Sequence, residues 1–385
     1  MIYRLEDLII KYDKNRKPLS TMVRNKMEKN FPYYGANGII DYVDNYIFDG
    51  NYILMAEDGT VLYNDKYPVL YRVSGKFWVS NHAHVFQSRG DIVNQDYLFY
   101  ALKNTPILDK ITGSTQLKLS QENMNGILIY VPDMNTQLRI VKILNTINDK
   151  IDSCNKENDL LLNQLKNYYN MHFINNDNSL KQVSSYVSET IGGDWGKETA
   201  QGNFIEEVLC VRGADIPEFV YGKCGKAPNR FILTKNYEKK KLTSDSIIIE
   251  ISGGSPTQST GRCAFVSKEL INRFELPLIC TNFCRALKFK EKKYSAYIYT
   301  YMQCMYDKGL FFTYENGTTG IKNLDLNAFL DSEKIHDPSN DELDKFNSLF
   351  SVINKKMINN ALIIDKLNEA LEIILPRLMD EKKND

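Results

Sequence analysis

The amino-acid sequence predicts an α+β protein in which two globular domains of mixed helices and strands are each followed by one long helix. Three observations support this prediction: an extended apolar heptad pattern, its recurrence 206 positions later, and two strand-bearing regions whose turns follow the same order. A tandem duplication of one globular unit plus one helix explains all three. We expect the two long helices to pair as an antiparallel coiled coil with pseudo-two-fold symmetry.

The first long helix is predicted after Pro132, where apolar residues recur at alternating steps of four and three, the a/d seam of a coiled coil. They are Ile140, Leu144, Ile147, Ile151, Cys154, Leu161, Leu165 and Tyr168. Adding 206 to each number gives the second seam: Phe346, Phe350, Ile353, Met357, Asn360, Leu367, Leu371 and Ile374. Two unrelated amphipathic helices of one core are the alternative, but they give no reason for the shared register.

The seams also predict how the helices face each other. In a fully overlapping antiparallel pair, Ile140 faces Leu378 and Asn158 faces Asn360. We therefore expect the two asparagines to hydrogen-bond and to fix the register of the pair.

The ends of the long helices are less regular. Asn135 and Asp341 are candidate N-caps because they follow the leading prolines of the two copies. Pro376 lies inside the second helix, where it removes a backbone donor, and we expect it to kink or end that helix near Leu375.

These helices divide the chain into four segments. Residues 1–132 form a first globular domain, 133–175 the central long helix, 176–337 a second globular domain and 338–380 the C-terminal long helix. The run Asn-Asn-Asp-Asn-Ser at 175–179 is a candidate linker.

Strand and turn signals recur in both globular regions. In the first region we predict strands at Tyr52–Met55, Val69–Val73, Phe77–Val79 and Ile127–Val131, and a helix at Asp96–Leu102. In the second, Leu180–Val187 corresponds to the opening segment, and Ile247–Ile251 corresponds to the strand that ends at Glu57–Gly59 in the first. Matching turns include Gly35–Ile39 with Arg212–Ile216, Ser80-Asn81 with Thr281-Asn282, and Gly113–Lys118 with Gly317–Lys322.

Composition excludes several classes of protein. The 48 basic and 48 acidic residues balance, so any binding of a polyanion must depend on local patches. The start of the chain is no signal peptide and no apolar run approaches a membrane span, so we expect a cytoplasmic protein. Seven cysteines without a C-x-x-C pair indicate reduced, mostly buried thiols, and four scattered histidines predict no zinc site.

Motifs for catalysis are missing from the sequence. It has no phosphate-binding G-x-x-x-x-G-K-[ST] loop, no G-x-S-x-G elbow and no H-E-x-x-H helix. Glu250 lies in an apolar strand, where we expect it to be paired rather than to act as a base. We expect no catalytic residue, bound cofactor or metal in this chain.

Basic stretches interleaved with aromatic residues are the positive signal, since such clusters neutralise phosphates while neighbouring polar side chains contact base edges. For any single lysine, the alternative to a phosphate contact is a solvated charge on the protein surface. His82 and His84 alternate along a probable strand and are expected to face the same way. Candidate contacts in the first domain are Arg16, Lys17, Arg24, Lys26, Asn37, His82, His84, Ser114, Thr115, Gln116 and Lys118. In the second domain they are Lys197, Arg212, Lys223, Lys226, Arg230, Arg262, Arg285, Thr318, Thr319 and Lys322.

With these features, the chain resembles the specificity subunits of type I restriction-modification systems over its whole length. The resemblance depends on the duplicated order of the loops at Gly113–Gln116 and Gly317–Thr319, the strand ends at Glu57–Gly59 and Ser252–Gly254, and the prolines that precede both long helices. Gly320 stands where Gln116 stands in the first copy, so a role for that glutamine does not carry over to the second.

The resemblance implies a non-catalytic reader of double-stranded DNA. Each recognition domain would bind one half of an interrupted, asymmetric target, and the helices would set the gap between the halves. The helices would also dock two modification subunits, which bring S-adenosylmethionine and methylate adenine, and restriction subunits would join outside them. A coiled-coil scaffold without DNA specificity and a stand-alone enzyme with a cryptic site are the alternatives.

Overall fold

The computed structural model describes residues 1–174, 179–253, 255, 258–317 and 321–380. The chain forms two compact units: unit 1 comprises Met1–Asp149 and Leu367–Asp385, and unit 2 comprises Lys150–Lys366. Each unit therefore contains one globular region and one part of each long helix. The four segments predicted from the sequence follow the helix ends rather than these units, and they remain a prediction.

Unit 1 is built on a six-stranded sheet with the order β2-β9-β5-β8-β3-β4, in which only the β3–β8 pair is parallel. Its strands are β1 (Ile2–Arg4), β2 (Ile9–Lys11), β3 (Phe31–Gly35), β4 (Gly38–Val43), β5 (Phe48–Ala56), β6 (Leu62–Tyr63), β7 (Tyr67–Pro68), β8 (Leu70–Val79), β9 (Ala83–Ser88) and β10 (Leu128–Tyr130). Its helices are α1 (Leu5–Leu8), α2 (Thr21–Arg24), α3 (Gln95–Lys103), α4 (Gln121–Asn125) and the first part of α5 (Met134–Tyr169).

Two predicted strands of unit 1 are one strand in the structure. The sequence predicts separate strands at Val69–Val73 and Phe77–Val79, with Gly75 between them. Instead Gly75 pairs with Gly50 of β5, and its positive φ of 82° is a backbone conformation open to glycine, so β8 continues through it.

Unit 2 distributes its strands over smaller sheets with the orders β12-β19-β15-β17, β14-β13-β18, β16-β21-β20 and β11-β22. The strands are β11 (Leu180–Gln182), β12 (Val187–Gly192), β13 (Phe204–Val211), β14 (Asn229–Leu233), β15 (Ser246–Glu250), β16 (Ser252–Gly253), β17 (Cys263–Val266), β18 (Leu278–Cys280), β19 (Cys284–Phe289), β20 (Glu315–Asn316), β21 (Lys322–Leu324) and β22 (Lys334–His336). The helices are α6 (Ile216–Val220), α7 (Thr234–Lys240), α8 (Lys268–Ile271), α9 (Ser295–Asp307), α10 (Leu326–Ser332) and most of α11 (Asn340–Asp380).

Strand pairing within each unit confirms the duplication. In unit 1, β5 lies between β8 and β9, and β2 follows β9 at the sheet edge. In unit 2, β15 lies between β17 and β19, and β12 follows β19. A parallel pair also recurs, β3 with β8 and β13 with β18, and so does the closing pair, β1 with β10 and β11 with β22. The two units thus repeat one arrangement with very different side chains.

Within unit 2, the long helices run antiparallel and meet at the predicted asparagines. Nδ2 of Asn360 donates to Oδ1 of Asn158 at 2.8 Å, and both residues are buried. Toward the other end of this segment, the rings of Tyr169 and Phe346 pack with their centroids 5.8 Å apart. The hydrogen bond predicted between the asparagines is therefore present, while its role in fixing the register remains a prediction.

Within unit 1, the same helices share an apolar cluster. Ile140 and Leu144 of α5 are buried in it together with Leu378 and Met379 of α11. α11 does not end near Leu375, because the helix continues to Asp380. The other expected effect of Pro376, a kink, stays a prediction. A proline removes one backbone donor, and the buried side chain of Met379 stabilises the turn that follows it.

The helix caps differ from those predicted. Oδ1 of Asp133 accepts a hydrogen bond from the Thr136 amide at 3.1 Å, so Asp133 rather than Asn135 caps α5. Ser339, 206 positions later, forms a reciprocal capping box with Glu342, so Asp341 does not cap α11.

The cysteines agree with the prediction of reduced, mostly buried thiols. All seven cysteines are free thiols, and all except Cys224 are buried. Burial raises the pKa of the Cys263 and Cys280 thiols to about 12. Within the described ranges, every helix is too short or too polar to span a lipid bilayer. The candidate linker falls mostly on residues 175–178, which lie outside the described residues.

The buried asparagine pair gives a stability prediction. Asn360→Leu alone leaves the Asn158 amide buried with fewer partners, so the free energy of unfolding should fall by about 1–3 kcal/mol. The double variant Asn158→Leu with Asn360→Leu replaces both polar groups by apolar ones and should recover most of that loss. Urea unfolding of the full chain measures both, and a double variant less stable than the single variant would contradict the account.

Candidate nucleic-acid interface

Three segments of unit 1 meet where β5 ends. Glu57, the first residue after β5, donates its amide to the carbonyl of His82, which directly precedes β9, at 2.9 Å. Asp58 forms an antiparallel bridge with Lys118, and the Gly59 amide donates to the Leu117 carbonyl at 3.1 Å. We call the strand end 57–59, the turn 80–82 and the loop 112–118 the loop surface of unit 1.

Several predicted contacts lie on this loop surface. Ser114, Thr115 and Gln116 are exposed on the loop. Lys118 is also exposed, with its Nζ 3.5 Å from Oε1 of Glu57. The turn supplies His82, whose side chain is 49% exposed. Polar and cationic groups of this kind suit contacts with base edges and phosphates.

Arg16, a candidate contact from the sequence, is instead paired within the protein. Its side chain is only 14% exposed. Nη1 donates to Oε2 of Glu57 and to the carbonyl of Ala83, both at 2.7 Å, and Nη2 lies 3.6 Å from Oδ2 of Asp13. The guanidinium thereby joins the strand end to the start of β9, and it positions the loop surface. The adjacent Lys17 is exposed.

The expectation that His82 and His84 face the same way is wrong. His82 precedes β9 in a turn, whereas His84 lies within the strand and is 1% exposed. Nδ1 of His84 is 2.7 Å from Oδ2 of Asp13, and its Nε2 is 2.9 Å from the carbonyl of Leu119. His84 is therefore an internal structural residue.

The same neighbourhood contains a possible cation site. Ligand atoms of Asp13, Glu57 and His84 lie within 4.8 Å of one another. Burial alone would raise the pKa of Asp13, but hydrogen bonds from His84 and Val85 and the charge of Arg16 outweigh it and lower that pKa. Because the Arg16 guanidinium already contacts both carboxylates, this group is an ion-pair network that stabilises the fold.

Three further candidates of unit 1 lie near the edge strand β4. Arg24 of α2 donates through Nε to Oδ2 of Asp41 in β4 at 2.8 Å, and its guanidinium lies over the Tyr33 ring. Lys26 and Asn37 are exposed, the latter in the turn between β3 and β4. No hydrogen bond or ion pair joins these residues to the loop surface within the described part of unit 1.

Unit 2 repeats the loop surface with the same backbone contacts. Ile251, the first residue after β15, donates its amide to the carbonyl of Phe283, which directly precedes β19, at 2.8 Å. Ser252 pairs with Asn323 just as Asp58 bridges Lys118 in unit 1. The loop surface of unit 2 consists of residues 251–253, 281–283, 315–317 and 321–323. Thr318 and Thr319, two predicted contacts, lie outside the described residues.

An arginine also supports this second surface. Nη2 of Arg262 lies 2.7 Å from Oε1 of Glu250, whose side chain is only 5% exposed. The Glu250 carboxylate raises the pKa of Arg262. The prediction that Glu250 is paired is therefore confirmed. A Cβ on Gly213 would lie 2.3 Å from Oε1 of Glu250, so the loop after β13 needs glycine to pack against this pair.

The loop after β13 supplies one exposed lysine and one paired arginine. Nε of Arg212 and the amide of Lys226 donate to the Asp215 carboxylate at 2.9 Å each. Burial alone would raise the pKa of Asp215, but these hydrogen bonds outweigh it and lower that pKa. The Lys226 side chain remains exposed. Arg212 therefore orders the loop, and Lys226 is available to a ligand.

The other candidates of unit 2 are mostly engaged within the protein. Arg230 contacts Glu198 at 2.9 Å and lies over the Trp195 ring. Lys322 contacts Glu315 at 2.8 Å. Nζ of Lys197 lies over the Phe204 ring, and Nζ of Lys223 is 3.7 Å from Oε2 of Glu218. Arg285 of β19 pairs with Gly192 of β12.

Two residues of the loop surfaces were not among the contacts predicted from the sequence. Asp58 binds the His82 ring, with its Oδ1 2.8 Å from Nδ1. Phe283 occupies in unit 2 the position of His82 and is 56% exposed. A signal for Phe283 was present, since the match of Ser80-Asn81 with Thr281-Asn282 continues by one residue to His82 and Phe283.

Part of the chain is similar to a known protein family and to a known relative. Residues 1–163 match the family model of the type I restriction modification DNA specificity domain. A putative type I restriction enzyme specificity subunit of Haemophilus influenzae is 30% identical over 233 residues, which cover 59% of this chain and 57% of that relative. The match thus spans little more than half the length of the Haemophilus protein.

Two more distant likenesses cover more of the chain. The MjaIX specificity subunit of Methanocaldococcus jannaschii is 24% identical over 348 residues, 83% of this chain and 77% of that protein. The crystal structure of a type I restriction-modification S subunit from M. genitalium aligns with a TM-score of 0.55 and 13% identity over 98% of this chain and 95% of that chain. The structural likeness supports the fold.

The Arg24–Asp41 contact predicts a pH dependence. Burial alone would raise the pKa of Asp41, but hydrogen bonds from Lys29, Arg24 and the Tyr42 amide lower it to about 2. A folded pKa below the unfolded one stabilises the protein above about pH 4, and this stabilisation is lost as the pH falls toward 2. Asp41→Asn should lower the free energy of unfolding by about 1 kcal/mol at pH 7.

Urea unfolding between pH 7 and pH 3 tests this expectation, with Asp44→Asn at a nearby exposed carboxylate as the control. The difference between Asp41→Asn and the wild-type chain should shrink below pH 4. A difference that stays constant down to pH 3 would show that the charge of Asp41 is not what stabilises α2 on β4.

Proposed function

We propose that the chain is a specificity subunit of a type I restriction-modification system and that it recognises a bipartite, asymmetric sequence in double-stranded DNA. Unit 1 reads one half of the target and unit 2 reads the other. The observation that carries the proposal is the duplicated loop surface, in which the same backbone contacts present different side chains. A repeated scaffold with altered side chains suits two different short sequences.

The loop surfaces support binding rather than catalysis. Glu57 and Glu250, the acidic residues at the two strand ends, contact Arg16 and Arg262 within the protein. Carboxylates held in this way order a surface, and exposed lysines such as Lys226 supply the charge that phosphates need. We therefore assign the chemistry of methylation and cleavage to partner subunits, with S-adenosylmethionine on the modification subunits.

The long helices are the proposed docking elements for two modification subunits and for the restriction subunits that join them. Exposed apolar side chains on both helices support this assignment, since water-facing leucine and valine suit a protein contact. They are Leu138, Ile143, Leu160, Val352, Leu362 and Ile373. The helices also set the gap between the two half-sites in this proposal, because α5 alone has 36 residues, about 54 Å at 1.5 Å per residue.

The test of the proposal is selection from a pool of random-sequence duplexes by the full chain co-expressed with its modification subunits. Two short motifs separated by a fixed gap should be enriched, and binding should weaken steeply with salt. Binding without any enriched sequence, or no binding at all, would favour a scaffold protein and overturn the proposal.

Lys226→Ala tests whether recognition is modular. Loss of one phosphate contact should weaken binding several-fold and reduce the salt slope by about 1. The effect should appear on a duplex that retains only the half-site of unit 2 and be missing on one that retains only the half-site of unit 1. Lys345→Ala, which removes an exposed lysine from α11, is the matched control. Equal losses on both duplexes would contradict modular recognition.

Shortening the helices tests the gap. Removing one heptad from each helix at facing seam positions preserves the apolar register. The helices shorten by about 10 Å, so the preferred gap should shrink by about three base pairs at roughly 3.4 Å each. The enriched motif of the shortened chain measures the gap directly, and an unchanged gap would exclude the helices as its determinant.

A further inference from the structure

The turns that precede β9 and β19 are the most closely matched part of the two loop surfaces. Ser80 and Thr281 are both buried, and their amides donate at 2.9 Å to the carbonyls of Tyr34 and Val211, respectively. The next residue is an exposed asparagine in both turns, Asn81 and Asn282. Each turn is therefore fixed at its first residue and presents its second and third residues to solvent.

The third residue of the turn differs, although its backbone does not. His82 and Phe283 each use the carbonyl to accept the amide hydrogen bond from the strand end. About half of each is exposed, 49% of the His82 side chain and 56% of the whole Phe283 residue. A single backbone position thus presents an imidazole in unit 1 and a benzyl group in unit 2.

The His82 ring is held in a defined orientation. Oδ1 and Oδ2 of Asp58 lie 2.8 and 3.0 Å from Nδ1. A carboxylate accepts hydrogen bonds, so Nδ1 carries a proton and Nε2 is the remaining polar atom of the ring. In the neutral ring, Nε2 accepts a hydrogen bond, and the amino groups of adenine and cytosine are the donors in the major groove.

Phe283 distinguishes a base contact from a phosphate contact. Its side chain has neither charge nor hydrogen-bonding atoms, so it gains nothing from a phosphate. An exposed aromatic ring is costly in water, whereas contact with the 5-methyl group of thymine is a recognised way for phenylalanine to read the major groove. A position that carries an imidazole in one unit and a benzyl group in the other suits contact with bases rather than with phosphates.

Cations flank the turn in both units. The strand end beside it bridges to Lys118 in unit 1 and to Lys322 in unit 2. Lys118 is exposed and can contact the backbone of a duplex whose base edges meet the turn, whereas the Lys322 ammonium contacts Glu315 within the protein. The local arrangement therefore suits a loop that enters a groove between phosphates.

We propose that position 82 in unit 1 and position 283 in unit 2 are matched specificity positions, at which His82 accepts a hydrogen bond from the amino group of adenine or cytosine and Phe283 contacts the methyl group of thymine. Asp58 is a positioning residue that orients the His82 ring. This inference rests on the proposed function, because it assigns one base contact to each half of the target.

The experiment compares base preferences, position by position, in the motifs that wild type, His82→Ala and Phe283→Ala enrich from random duplexes. Phe283→Ala should lose preference for thymine at one position of the unit 2 half-site, on the order of tenfold. Replacing that thymine by deoxyuridine, which lacks the methyl group, should weaken wild-type binding equally and leave Phe283→Ala unaffected. His82→Ala should lose preference at one adenine or cytosine of the unit 1 half-site.

Asp58→Asn tests the positioning role. It should relax the same base position as His82→Ala, and the double variant should show no further loss. Relaxation of every position in that half-site would mean that Asp58 only stabilises the loop, and it would overturn the positioning role. Lys345→Ala, with no change at any position, controls for general effects on the chain.

The outcomes distinguish the assignment of residues 82 and 283 from the proposed recognition of DNA. A wild-type motif that is enriched but unchanged by His82→Ala and Phe283→Ala, or wild-type binding indifferent to deoxyuridine, overturns the inference and leaves the proposed function standing. A wild-type chain that enriches no motif overturns both. Urea midpoints within error of wild type confirm that each variant is folded.

Discussion

The antiparallel pairing of β5 with β9, repeated by β15 with β19, is the constraint on which both loop surfaces depend. Backbone groups at a strand end need hydrogen-bond partners. The chain meets this need by bonding the residue after one strand to the residue before the next, Glu57 to His82 and Ile251 to Phe283. Side chains from distant parts of the sequence are thereby brought to one edge of each sheet, where they can act together on one ligand.

Arginines and lysines have different roles near these strand ends. Arg16, Arg212 and Arg262 each contact a carboxylate and order a loop. Their planar guanidinium groups can bond several acceptors at once, which suits internal connections. Lys17 and Lys226, in contrast, are exposed. A lysine presents a mobile point charge that neutralises phosphate without a fixed geometry, so in the proposed function the exposed lysines add a sequence-independent attraction to the ordered frame.

Sequence reasoning succeeded where the pattern is local and periodic. The heptad seams depend on spacing alone, and they placed Asn158 opposite Asn360 as the structure does. It failed where partners are distant in the chain. His84 was expected on the surface, but its partners Asp13 and Leu119 come from other segments that no local pattern connects. Phe283 was overlooked because the search for contacts followed basic charge, and an apolar side chain carries none.

Photocrosslinking is the measurement that tests the central claim most directly. A photoreactive amino acid in place of Asn81 or Asn282, the exposed residues of the two matched turns, can be activated with the full chain bound to its selected duplex, and the crosslinked base can be mapped. The account predicts that residue 81 crosslinks to a base in one half of the target and residue 282 to a base in the other. Crosslinks from both residues to the same half, or only to DNA outside the enriched motif, would contradict it.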